Sequence, residues 1–262
     1  MDPTSAVTTA LRERAPLVQC LTNFVSMDLA ANVLAAVGAS PAMVHDPHES
    51  AELAALADAV CVNIGTPSPR WADGMRLAAA QAQADGTPWV LDPVAVGATR
   101  YRRELVADLL RLRPTVVRAN AGEVLALAGT VGASRGVDSL ADAQDAHAAA
   151  RAVAREHGCV VVVSGPVDLV TDGDRALHVH GGHRWMPMIT ALGCSSSALV
   201  AAACAVVDDP VAAAAGAMGL LASAGTSAAE VAEGPASLRV SIVDRLADPG
   251  RLELACHVRP DA

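Results

Sequence analysis

Four consecutive valines occupy 160–163, flanked by Cys159 and Ser164. A run that is apolar at every position leaves no face for water. It suits a strand covered on both sides by helices. Comparable β-rich runs recur at 17–21 (LVQCL), 59–64 (AVCVNI), 88–92 (PWVLD) and 115–119 (TVVRA). Helix-length patterns fill the gaps at 26–37, 69–85, 102–112 and 140–157. This alternation predicts an α/β fold, a mostly parallel central sheet with helices on both faces and right-handed crossovers. At 168–180 the pattern changes, and two short β-rich runs flank Asp172-Gly173, which predicts a hairpin.

No linker, repeat or break in composition interrupts the 262 residues, so one domain spanning 1–262 is expected. The chain is 52% apolar but only 2% aromatic, so Ala, Val and Leu must pack its core. Apolar stretches at 198–207 and 211–225 are divided by Asp208-Asp209-Pro210. A membrane span needs about 20 apolar residues, so two buried helices are expected. Asp209 would cap the second helix, with Pro210 in its first position. A net charge of −9 offers no footprint for nucleic acid. The arginines at 100, 102, 103, 111 and 113 read as a solvated helix face. Six cysteines (20, 61, 159, 194, 204, 256) show neither CxxC pairing nor metal-ligand spacing. Together with an N-terminus unlike a signal peptide, they suggest free thiols in a reducing cytoplasm, away from membranes.

Ligands of such sheets bind beyond the carboxyl ends of the strands. The polar residues expected there are Thr22-Asn23, Asn63-Ile64-Gly65-Thr66, Asp92-Pro93, Asn120 with Glu123, and Ser164-Gly165. Taken singly, each is also ordinary turn chemistry. Asp92 and Glu123 say more as a pair, because adjacent carboxylates repel unless a cation or hydrogen bonds intervene. The stretch 190–207, TALGCSSSALVAAACAVV, places a glycine and Cys194 at a helix start. Open amides and the helix dipole favour an anion there, although ordinary helix entry fits the same letters. Amides from Leu192 to Ser195 would suit a phosphoryl group, with nearby carboxylates holding Mg²⁺ through water. A cysteine hydrolase using His183 or His180 as base, and a non-catalytic binding protein, remain open. His178, His180 and His183 suggest no metal site.

The segments VQCLTNFV (18–25), GASPAMVH (38–45), VNIGT (62–66), LDPVAVGAT (91–99), VRANAGE (117–123) and GVDS (136–139) occur in order. They are followed by SGPVDLVTDG (164–173), HGGH (180–183) and the cysteine-containing loop at 190–206. In these the chain resembles hydroxyethylthiazole kinase, of the ribokinase-like superfamily, over nearly its whole length. The resemblance implies a three-layer ribokinase-like sandwich that transfers phosphate from ATP to 4-methyl-5-(2-hydroxyethyl)thiazole in thiamine salvage. A sister kinase acting on a pyrimidine alcohol is the alternative. It further implies a cytoplasmic homotrimer with the thiazole near subunit boundaries. By matched position, Met43, Asn23, Gly65, Thr66 and Ala191 lie on the thiazole side. Arg118, Ser164, Asn120 and Gly193 lie on the ATP side. Asp92 and Glu123 act through Mg²⁺, and Cys194 lies beside the reacting hydroxyl as a modest base whose pKa a helix N-terminus lowers. Three features depart from the family pattern, the first being Arg118-Ala119-Asn120 where Arg-Gly-Asn is usual. The loop is Ala191-Leu192-Gly193-Cys194 where Gly-x-Gly-Cys is usual, which sets a reluctant Ala and a bulky Leu where phosphate approaches. Met188 stands where a lysine is common, with Arg184 the nearest replacement cation.

Overall fold

A computed structural model describes residues 2–129, 143–252, 254 and 258–260. Cys256, the GVDS segment and residues 140–142 of the predicted 140–157 helix lie outside the described residues. In chain order the elements are α1 (Pro3–Arg14), β1 (Leu17–Leu21), α2 (Met27–Ala36), β2 (Ser40–Ala42), α3 (Ser50–Ala54) and β3 (Ala59–Asn63). Then come α4 (Pro69–Asp85), β4 (Trp89–Asp92), α5 (Arg100–Leu110), β5 (Val116–Asn120), α6 (Ala121–Leu127), α7 (Ala143–His157) and β6 (Val160–Ser164). The chain continues through β7 (Asp168–Thr171), β8 (Ala176–Val179), α8 (Leu192–Val206), α9 (Pro210–Ala229), α10 (Pro235–Ala247) and β9 (Val258–Pro260).

One sheet carries the strands in the order β2-β1-β3-β4-β5-β6-β7-β8-β9. The six strands from β2 to β6 run parallel, and β7, β8 and β9 are added antiparallel. The valine run is β6, and Val160 to Val163 are all buried. One apolar layer packs α1, α2, α8, α9 and α10 on one face. A second packs α3, α4, α5, α6 and α7 on the other. The expected three-layer sandwich is therefore present. The hairpin at 168–180 forms as expected, with a four-residue connection in which Asp172 Oδ1 accepts from the backbone N–H of Asp174 and Arg175. The two edge strands, β2 and β9, have three residues each, too few to carry a period-2 signal.

Local chemistry explains the helix starts. Ser68 caps α4 ahead of Pro69, and Gly86 ends the helix in a left-handed conformation at φ 72°. Asp209 caps α9 by accepting from Val211 N, with Pro210 at the first helical position, as expected. By length and composition α9 could cross a membrane, yet 83% of its apolar window is buried within the fold. It is the core helix, enclosed by α1, α8 and α10. Small residues permit this enclosure. A Cβ added at Gly216 would stand 2.5 Å from the Pro3 carbonyl oxygen and 2.6 Å from Val7 Cγ2.

That contact generates a prediction. Gly216→Ala improves helix propensity by about 1 kcal/mol but overpacks the α1–α9 contact at a cost of about 1–3 kcal/mol. A net loss of stability is expected in urea unfolding; an unchanged or higher midpoint would mean that α1 does not rest on α9 this closely.

Candidate active site at the carboxyl edge of the sheet

From β1 the chain turns outward to the edge strand β2, whereas from β3 it proceeds to β4. Loops leaving neighbouring strands in opposite directions open a crevice at this switch point. Asn23, just past β1, and Asn63, the last residue of β3, meet there. Asn23 Nδ2 donates to Asn63 Oδ1 at 2.8 Å, and Asn63 Nδ2 donates to Asp92 Oδ2 at 2.7 Å. Ser197, on α8, donates its hydroxyl to the same Asp92 oxygen at 2.7 Å. Asp92 is only 1% exposed. Burial, reinforced by the charge of Glu123, raises its pKa to about 6 against the pull of Arg118, Ser197 and Asn63.

Glu123 plays two structural parts. Its Oε2 accepts from Asn120 N while Asn120 Oδ1 accepts from Glu123 N, a capping box that starts α6. Its Oε1 accepts from Ala95 N at 2.8 Å and so ties down the loop after β4. Arg102 fastens the same region, donating to the carbonyls of Ile64, Val94 and Gly65 at 2.6–2.8 Å. The expectation that Arg102 belongs to a solvated face is corrected here. Its head group is drawn in by carbonyls left over at two strand ends.

The loop before α8 leaves its amides open. Ala191 takes the N-cap position at φ 72° with no side-chain cap, and the first α-helical backbone bond runs from Ser195 N to Ala191 O. Among the described residues, the N–H groups of Gly193 and Cys194 donate to no protein acceptor. Leu192 is 5% exposed; it packs against the core and also lines the cleft beyond the loop. Gly193 has a separate reason to be glycine, since a Cβ there would stand 2.9 Å from Arg118 Nη1. Arg118 thus packs close against Gly193. Beyond the open amides extends a cleft of about 720 Å³, lined by Arg118, Asn120, Ser164, Gly193, Arg184 and, at its apolar end, Met218. Asp168 also borders it, raised to about 6 by burial while one oxygen accepts from Gly165 N.

Cys194 is half-buried, and its sulfur accepts from Asn23 Nδ2 at 3.3 Å. The expected lowering of its pKa is overturned. Burial pushes the thiol up, the charge of Asp92 adds to this, and the amides of Asn23 and Asn63 and the Arg118 cation offset only part. The hydrolase alternative finds no support in the geometry. The His183 ring packs edge-on to Trp185, and its Nδ1 accepts from Trp185 N.

These features coincide with strong likenesses. A sequence model of the hydroxyethylthiazole kinase family matches residues 8–249. Hydroxyethylthiazole kinases of Cereibacter sphaeroides and Gemmatimonas aurantiaca are each 53% identical, over 246 and 247 residues. The alignments cover 94% of this chain in both cases, and 94% and 88% of those relatives. The structure of the hydroxyethylthiazole kinase protein from Pyrococcus horikoshii OT3 superposes with a TM-score of 0.90 at 36% identity, covering 99% of each chain. The chain belongs to the hydroxyethylthiazole kinase family. A pyridoxal kinase from Staphylococcus aureus, solved in complex with ADP, matches at TM-score 0.67 and 17% identity over 95% of this chain and 99% of that one, which shows the shared ribokinase-like fold.

Within this kinase-family fold the expected residues fall into two groups. Arg118, Asn120, Ser164 and Gly193 share the large cleft. Asn23, Gly65, Thr66 and Cys194 gather at the switch point, where Gly65 N donates to Asn63 Oδ1 and Phe24 N donates to Thr66 Oγ1. Ala191 links the two groups at the head of α8. Met43 follows β2 at the same edge, partly buried against the core. Asp92 and Glu123 stand at the ends of β4 and β5. Ser197 and Arg102 were missed. Nothing local marks Ser197 among three adjacent serines, whose hydroxyls differ only in what the fold sets opposite them.

Two predictions arise from this geometry. The unfolded chain releases the Asp92 proton near 3.8 and the folded one near 6. Stability therefore falls as pH rises through this window, with the full penalty of about 3 kcal/mol present above it. Asp92→Asn keeps an acceptor for Asn63 and Ser197 and is never charged. Urea unfolding with a chelator and no nucleotide should show it more stable than native by about 1–3 kcal/mol at pH 8, the gain fading towards pH 4. A variant less stable than native at pH 8 would contradict the burial penalty. Separately, a left-handed Ala costs about 1–2 kcal/mol, so Ala191→Gly should retain stability and raise phosphorylation turnover. Unchanged or lower turnover would show a loop adapted to Ala191.

Proposed function

We propose that this chain phosphorylates the hydroxyethyl group of 4-methyl-5-(2-hydroxyethyl)thiazole with ATP, in thiamine biosynthesis or salvage. One observation carries the reading. The cleft bearing Arg118, Asn120 and Ser164 ends on the open amides of Gly193 and Cys194, and the asparagine cluster lies immediately beyond. A nucleotide along the cleft directs its terminal phosphate at those amides. An alcohol held beside Asn23, Gly65, Thr66, Met43 and Ala191 meets it there.

The substrate oxygen attacks the γ-phosphorus, the bond to the ADP oxygen breaks, and the hydroxyl proton leaves late in the step. Positioning and charge neutralisation dominate in such a transfer. Arg118 and the amides of Gly193 and Cys194 take up charge on the phosphoryl oxygens. Cys194 stands next to the hydroxyl and, in its thiolate form, takes that proton to become the neutral thiol. The carboxylates of Asp92 and Glu123 fit Mg²⁺, because a hard cation relieves the repulsion that helps push Asp92 up to about 6. Held by these residues, the ion would supply charge neutralisation on the phosphates. Both Glu123 oxygens already accept amides, which favours a water-mediated role.

The remaining parts of the reading concern the setting. One sheet bears the whole site, in keeping with a single domain over 1–262. Phe24 and Val25 are exposed next to Asn23 on the thiazole side, which suits a homotrimer whose subunits meet near the thiazole. The five described cysteines are free thiols, in keeping with the cytoplasm.

The reading is tested by coupled ADP release with Mg²⁺-ATP, offering hydroxyethylthiazole and a hydroxymethylpyrimidine in parallel. Turnover with the thiazole alone is expected; turnover with the pyrimidine alone would transfer the chain to the sister activity. In the same assay Cys194→Asp should keep or raise turnover and move the pH profile to the acid side, since a carboxylate ionises below a thiol. Cys194→Ala should lose at least about tenfold in rate yet still bind the thiazole. A covalent adduct at Cys194 during turnover, seen by mass spectrometry, would rule out this role for the thiol.

A further inference from the structure

The amide of Asn23 has no free end. Its Oδ1 accepts from Val25 N at 3.0 Å and from Ser26 N at 3.1 Å. Two backbone donors at one end leave only one orientation, with Nδ2 at the other. That nitrogen donates to Asn63 Oδ1 at 2.8 Å and to Cys194 Sγ at 3.3 Å. An asparagine side chain offers two donors and two acceptor lone pairs, and all four are used inside the protein.

Asn63 is oriented just as firmly. Its Oδ1 accepts from Gly65 N at 2.9 Å and from Asn23, and its Nδ2 faces the Asp92 carboxylate at 2.7 Å. Asp92 is held in turn by Ser197 at 2.7 Å. Reversing the Asn63 amide would set its NH₂ against two other donors and its oxygen against a carboxylate. Asp92, Asn63 and Asn23 therefore form a chain of fixed polarity, anchored on three parallel strand ends and α8, whose last donor points at the sulfur. Asn63 and Asn23 are both buried, at 0% and 5% exposure.

We infer that Asn23 and Asn63 are positioning residues for Cys194, Asn63 fixing the Asn23 amide whose Nδ2 holds the sulfur and favours the thiolate that takes the proton, and that Asn23 does not hydrogen-bond the thiazole. This rests on the reading of Cys194 as the group beside the reacting hydroxyl. A hydrogen bond to the charged form of a group favours that form, and a donor already fixed needs no reorientation to provide it. The same arrangement receives a carboxylate at position 194 equally well, since it too accepts from an amide N–H.

A double-mutant cycle separates this role from a substrate contact and from mere support of the fold. Asn23→Asp keeps an oxygen for Val25 N and Ser26 N and replaces the donor with a charged oxygen, a change present in both backgrounds of the cycle. Asn63→Ser breaks the chain one link further back. Each is made in the native protein and in Cys194→Ala, with folding checked by thermal unfolding, and either alone carries the test if the other fails to fold. In the native background each variant should lower kcat by about tenfold or more while the thiazole KM stays within about threefold. In the Cys194→Ala background the same changes should cost less than about threefold, because the group they act through is gone. A raised KM with unchanged kcat would overturn the inference by making Asn23 a substrate contact. Equal losses in both backgrounds, with Cys194→Ala itself impaired, would overturn the inference alone. Full turnover in Cys194→Ala would overturn the reading of the thiol and the inference with it.

Discussion

The buried carboxylate of Asp92 is the constraint around which this edge of the protein is arranged. An ionised group with 1% exposure needs partners, and it draws one from β3, Asn63, and one from α8, Ser197. Those bonds bring three elements to one point at the switch in strand order. Their residual cost appears in the raised pKa, a price in stability that the fold retains where it needs negative charge. From Asp92 the asparagine chain reaches Cys194, so the carboxylate and the thiol belong to one bonded unit although 102 residues separate them.

The second constraint is an incomplete helix start. α6 satisfies its first amides with a capping box and α4 uses Ser68, but α8 begins at a left-handed alanine that caps nothing. Unsatisfied donors at a helix N-terminus cost free energy in the empty protein and favour any anion that meets them. Arg118 packs against Gly193 at the same place, and its Nε is buried with no partner among the described residues. Loose donors and a cation converge on one volume. The adjoining layers, by contrast, are closed by small apolar side chains packed with little spare room.

Much of the fold could be read from residue order. The apolar runs of β1, β3, β4, β5 and β6 and the stop signal at Asp209-Pro210 each carry their cause locally: side-chain periodicity, fixed φ, a capping oxygen. α6 illustrates a partial reading. In the sequence Asn120 and Glu123 suggest ligand chemistry, and the structure adds a capping box formed by the same two residues. Arg102 was misassigned because a guanidinium on an amphipathic helix looks solvated until leftover carbonyls are brought within reach.

The sequence by itself therefore determined the sandwich, its parallel sheet, the hairpin, and which residues would line the carboxyl edge, because these follow from interactions within a few positions. It also bore the motifs that mark the kinase family. Only the tertiary structure decided how those edge residues are used: that Asp92 is buried, that the thiol of Cys194 is pushed up and not down, and that the amide of Asn23 is fully engaged. Each depends on groups tens to hundreds of residues apart, and on how much water their packing removes. Neither desolvation nor the orientation of an amide is encoded by neighbours along the chain.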